Sequence, residues 1–223
     1  MKRTPINERI LPGYTRGEEI ANMTTHIIGG GLGVVILALC VITSALKGNI
    51  WGIIGGAVYG FSMIAVYTVS SVYHGLKPCF AKKVMQVIDH CTIYLLIAGT
   101  YTPILLCAMR PEYPQIAWIV FASEWLLAGL GAVFTAIDHN KYKKLSMVFY
   151  ILMGWFIVLC LKQTIEVLTL AGMLWILFGG ISYTIGAVLY GIGKKKPVFH
   201  TVFHVFVVIG TLLQAAGILI YVL

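Results

Sequence analysis

The chain of 223 residues is 59% hydrophobic and only 11% charged, where a soluble domain carries roughly 25% charged residues. Its mean hydropathy of +0.91 excludes a water-soluble enzyme, and the length leaves room for one membrane-embedded domain with short connections. The net charge of +8 does not point to nucleic acid, because the cations stand in small clusters between apolar runs, as topology signals do.

Residues 1–21 are polar and basic and read as a short cytoplasmic tail, and residues 22–223 as a transmembrane domain. No cleavage site ends the first apolar run, so no removable signal peptide is expected. Long apolar runs place spans at 22–46, 50–74, 86–108, 115–137, 145–165, 169–192 and 199–222. The expected fold is an all-α membrane protein, a seven-transmembrane helix bundle. The breaks are Lys47-Gly48-Asn49, Gly75 to Val84, Met109 to Pro114, Asp138 to Lys144, the stretch around Glu166, and Gly193 to Val198. Gly29 and Gly33, then Gly52, Gly56 and Gly60, recur every four positions and predict close helix packing. Cys40, Cys79, Cys91, Cys107 and Cys160 are scattered and imply no disulfide framework.

Charge sets the orientation. The tail holds Lys2, Arg3, Arg9 and Arg16. The second, fourth and sixth loops hold Lys77, Lys82 and Lys83, then Lys141, Lys143 and Lys144, then Lys194, Lys195 and Lys196. Only Lys47, Arg110 and Lys162 fall opposite. The N-terminus is therefore expected in the cytoplasm and Leu223 outside.

Ionisable groups at membrane depth are costly and mark interior or functional positions. Glu19, Asn22 and His26 enter the first span; Glu19 and Asn22 read either as caps or as supports of a site, and His26 as a support. Ser70 and His74 end the second span on one face, Asp89 opens the third, and His200 and His204 open the seventh. Residues four apart share a helix face, so His200 and His204 can present two imidazoles to one ion, with His74 as a third. Three imidazoles leave a tetrahedral zinc with an open position. Asp89 is read as a metal ligand or as the group that deprotonates water, and Ser70 as a hydrogen-bond donor to water or a carbonyl. Glu124, near the middle of the fourth span, is expected neutral or hydrogen-bonded, with a proton relay as the alternative. His90 and His139 are read as interfacial, and Cys91 points away from Asp89.

Glu19-x-x-Asn22-x-x-x-His26, Ser70-x-x-x-His74 with Asp89, and His200-x-x-x-His204 occur in that order. With the stretch from Asp89 through Tyr101-Thr102-Pro103, they make the chain resemble the hemolysin III family of the progestin and adipoQ receptor superfamily, which is also similar to alkaline ceramidases. The resemblance covers nearly the whole chain. It implies seven helices with the N-terminus inside, zinc on His74, His200 and His204, Asp89 reaching the metal through water, and lipid amide hydrolysis. His90 and Cys91 stand where the receptors have tyrosine and serine, and the tail is short, so hormone binding is not implied.

The expected function is a zinc-dependent hydrolase of a membrane lipid amide or ester, acting in lipid homeostasis, with Asp89 as base. The alternatives are a sensor with structural zinc and a pore-forming cytolysin. Membrane lipids are the expected partners, nucleic acid is not one, and the expected location is the cell membrane, specifically a bacterial inner membrane.

Overall fold

The structure is a computed structural model that describes residues 3–193 and 196–223; Lys2, Lys194 and Lys195 of the charge pattern lie outside the described residues. The described residues form helices and no strand. The long helices are α1 (Arg16–Leu46), α2 (Ile50–Gly75), α3 (Phe80–Pro103), α4 (Pro114–Gly154), α5 (Leu161–Gly193) and α6 (Val198–Tyr221). Among the described residues, five helical stretches are long and apolar enough to cross a membrane: Arg16–Leu46, Ile50–Gly75, Phe80–Glu112, Pro114–Gly193 and Val198–Tyr221.

Local chemistry sets the helix ends. The Glu18 carboxylate accepts from Thr15 N at 2.8 Å while Glu18 N donates to Thr15 Oγ1 at 3.3 Å, a reciprocal cap that satisfies free amides. Helix α1 therefore starts at Arg16, earlier than the apolar run alone suggests, and carries Glu19 and Asn22 inside the helix. Gly48, with φ +64, turns the chain, and Asn49 Oδ1 accepts from Gly52 N at 2.9 Å to open α2. Pro103 has no N–H to give the ladder, and α3 runs on through a π turn at Ile104–Met109.

The glycine stripe of α2 meets α1 with almost no gap. A Cβ on Gly52 would lie 2.5 Å from Ser44 Oγ, on Gly56 2.6 Å from Cys40 Cβ, and on Gly60 2.6 Å from Leu37 Cα. Dispersion between backbones replaces the hydrophobic drive that lipid removes. Gly60→Val is expected to destabilise the protein by about 1–3 kcal/mol, because overpacking here moves backbone; a lowered midpoint of thermal unfolding in detergent checks this.

The stretch Pro114–Gly193 is helical for 80 residues, about 120 Å at helical rise, several times the hydrocarbon thickness. It folds back on itself: the Tyr113 hydroxyl donates to the Glu166 carboxylate, and Trp155 Nε1 donates to Thr184 Oγ1 at 3.1 Å. The backbone breaks at Asp138 (φ −157, ψ 92), at the 3-10 turn Phe156–Cys160 and at Thr169 (φ 64, ψ 166). Where sequence predicts a loop at Asp138 to Lys144, a single extended residue suffices, since Asp138 Oδ1 accepts from Lys141 N at 3.2 Å and restarts the helix.

Contacts sort the connections into two ends. At one end Lys83 Nζ donates to Asn7 O at 2.6 Å, Arg9 reaches Ile137 O at 3.3 Å, and Tyr14 stacks on His200. At the other, Lys47 Nζ donates to Leu223 O at 2.5 Å, Arg110 lies 4.4 Å over the Trp51 ring, and Tyr113 meets Glu166. Helix α1 packs on both α2 and α6, joining the first and last helices.

Candidate metal centre

The end of α2 and the first turns of α6 bring His74, His200 and His204 together. All three are buried, and one nitrogen from each lies within 4.8 Å of the others. Helical spacing aligns His200 with His204, while the contact of α1 with both α2 and α6 sets His74 beside them.

The far side of two of the rings, His74 and His204, is already held. His74 Nδ1 lies 2.6 Å from Glu19 Oε2, and a carboxylate only accepts, so Nδ1 carries a proton and Nε2 is the nitrogen that can offer a lone pair from the neutral ring. That Nε2 is buried and has no hydrogen-bond partner among the described residues. His204 Nδ1 lies 2.5 Å from His26 Nε2, and His204 Nε2 faces His200 Nε2 at 3.0 Å. Two bare imidazole nitrogens repel at that distance unless a proton or a cation lies between them. Neighbouring nitrogens on a tetrahedral zinc with bonds of 2.0–2.1 Å stand roughly 3.3 Å apart. An unpartnered Nε2, a close nitrogen pair, and outer nitrogens tied to a carboxylate and a histidine fit a zinc-type cation.

Glu19 is a hub. Its Oε1 accepts from Lys82 Nζ at 2.7 Å, and Lys82 also donates to Leu76 O at 2.9 Å. Lys82, counted by sequence among the loop cations, is buried at 2% exposure. Asn22 is buried with Nδ2 3.5 Å from His74 Nδ1, and His26 packs edge-on against Tyr67 at 5.1 Å. Glu19, Asn22 and His26 thus back the histidines from inside α1 instead of capping it; Thr15 and Glu18 do that.

Asp89 stands outside the three-histidine group and lines a cavity of about 160 Å³, whose wall also includes Ser70, His26, His90, His200 and His204. Ser70 Oγ is buried against the Asp89 side, without a well-formed hydrogen bond among the described residues. Beyond this polar end the wall is largely apolar, with Ile97, Met147, Trp155 and Phe203. The volume is of the class that admits a benzene-sized apolar group.

Sequence reasoning missed several of these residues. His90 belongs to the cavity wall, 3.7 Å from Asp89 Oδ2 and 3.4 Å from the Tyr190 hydroxyl. His139 is buried, its ring 4.0 Å from that of His90. Tyr14, an aromatic in a polar segment, stacks on His200, and burial raises its phenol well above the ordinary value, so it stays protonated. The capping signal at Thr15 and Glu18, one turn before Glu19, was the available clue to Tyr14. Glu124 is fully buried, with neither oxygen partnered among the described residues, and it is not part of the cavity wall.

A family model described as "Haemolysin-III related" matches residues 14–215. "Hemolysin-3" of Bacillus cereus is 37% identical over 206 residues, 92% of each chain. "Hemolysin-3 homolog" of Bacillus subtilis (strain 168) is 35% identical over 208 residues, 93% of this chain and 96% of the relative. The human "Monocyte to macrophage differentiation factor" is 29% identical over 216 residues, covering 92% and 84%. With its long apolar helices and a match running through all of them, the chain is a multi-pass membrane protein that belongs to the haemolysin-III related family.

Proposed function

We propose that this protein crosses a bacterial cell membrane seven times with its N-terminus in the cytoplasm, holds zinc on His74, His200 and His204, and hydrolyses an amide or ester of a membrane lipid. Support for seven crossings comes from the two ends described above. Asn7, Lys83, Ile137 and His200 gather at one end, while Lys47, Arg110, Glu166 and Leu223 lie in turn at the other. Lys83 and the break after Ile137, which leads into Lys141, Lys143 and Lys144, share the first end, which the positive-inside rule assigns to the cytoplasm.

The observation that carries the enzymatic reading is the unpartnered Nε2 of His74 beside His200 and His204, which themselves line a cavity with an acid, a hydroxyl and an apolar wall. A cation in such a place supplies Lewis acidity toward a carbonyl and acidifies water. The chain's own residues do the rest. Glu19 orients the His74 ring, Asp89 takes a proton from water and passes it to the departing amine or alcohol, Ser70 donates to the lipid carbonyl, and the apolar wall seats the chain next to the scissile bond. Roughly one zinc per chain by elemental analysis, with turnover in a screen of ceramides, phospholipids and other acylated lipids, is the expected result. A protein that retains zinc and turns over none of them sinks the hydrolase.

The Glu19–His74 and His26–His204 pairs tie α1, α2 and α6 together, which favours as second reading a sensor whose zinc is structural. In that case chelation lowers thermal stability and no lipid is consumed. Lysis, which the names of the Bacillus relatives suggest, would appear as dye release from liposomes that is indifferent to the three histidines.

A further inference from the structure

Three attachments hold the segment ahead of α1 across the end of the bundle that carries the histidines. Thr4 N donates to Asp138 Oδ2 at 2.9 Å, Arg9 Nη2 donates to Ile137 O at 3.3 Å, and Lys83 Nζ donates to Asn7 O at 2.6 Å. Arg9 is 1% exposed, and the break in α4 explains why. Extended backbone at Asp138 leaves the Ile137 carbonyl short of a helical donor, and the guanidinium supplies one. At the other end of the segment Thr15 is fixed by its reciprocal cap with Glu18. Tyr14 is thereby set over the site, its ring 4.8 Å from His200 with 20° between the planes, and 5.8 Å from His74.

We infer that Tyr14 is a positioning residue that holds the His200 ring and roofs the three-histidine group, and that the segment Thr4 to Tyr14 is a strap, latched by Arg9 on the break in α4, that lifts to admit solutes from this end. The cation this roof covers rests on the function proposed above; the roof itself does not.

The test uses full-length protein in detergent micelles: the parent, Tyr14→Ala, Tyr14→Phe and Arg9→Gln, each checked for helicity by circular dichroism. Diethylpyrocarbonate is applied to metal-free protein and modification of His200 is followed by mass spectrometry. Labelling is expected to run about tenfold faster in Tyr14→Ala and Arg9→Gln, the scale of one lost aromatic contact, with Tyr14→Phe at the parent rate. In cobalt-loaded protein, release to EDTA follows the same order. Equal labelling in all four proteins overturns the strap whatever cobalt does. A rise confined to Tyr14→Ala overturns the latch and keeps the roof, and a rise in Tyr14→Phe overturns the stacking role. Cobalt bound by none of the proteins, with the labelling order intact, removes the cation and leaves the strap standing. Lys83→Gln, which cuts the third attachment at the surface, replaces Arg9→Gln if that variant loses helix.

Discussion

Under the proposed hydrolysis, Asp89→Asn is expected to lower lipid turnover by about 10²–10⁴-fold, the range of a lost general base, with zinc content equal to that of the parent. The carboxylate lines the cavity beside Ser70 and stands apart from the three clustered imidazoles, so the amide removes proton acceptance and leaves the nitrogen donors untouched. Initial rates and elemental analysis of one preparation decide between the two roles that sequence left open. Loss of zinc together with rate makes Asp89 a ligand. Full activity with zinc retained removes it from the chemistry.

Glu19→Gln should weaken zinc binding by about 10–100-fold, the usual effect of losing a carboxylate behind a ligating histidine. The substitution keeps an oxygen 2.6 Å from His74 Nδ1 but withdraws the charge that fixes the tautomer, and it strips buried Lys82 of its counter-ion. His204→Ala, which deletes a ligand outright, should retain no stoichiometric zinc after dialysis. Competition titration against a chromophoric chelator ranks parent, Glu19→Gln and His204→Ala in that order. Parental affinity in Glu19→Gln would show that His74 does not depend on its partner.

The three histidines were legible because a polar ring at helix depth is rare enough to stand out, and because the i, i+4 pair in α6 fixes a shared face before any tertiary contact is known. Membership of the haemolysin-III related family was legible for the same reason, since the residues that carried the resemblance include those three. Lys82 was not: in sequence it is one more cation in a basic loop, and only the fold sets it 2.7 Å from a carboxylate 63 positions away. Tyr14 was hidden likewise, as its stacking partner comes from the last helix. The span boundaries blurred at Asp138 and Glu166, where side-chain capping at Asp138 and a single left-handed residue at Thr169 let the helix resume at once. Glu124 remains a buried acid to which neither the cavity nor the histidines assign a task.

The contact of Gly52, Gly56 and Gly60 with Ser44, Cys40 and Leu37 has a mechanical consequence. Two helices in which the glycine backbone of one seats the side chains of the other over successive turns resist sliding and rotation, so α1 and α2 are expected to move as a single stiff lever. Glu19, Asn22, His26 and His74 all ride on it. The adjustable gap in the centre is then the one between that lever and α6, and breathing of the site is expected as travel of the His200–His204 pair against a fixed His74.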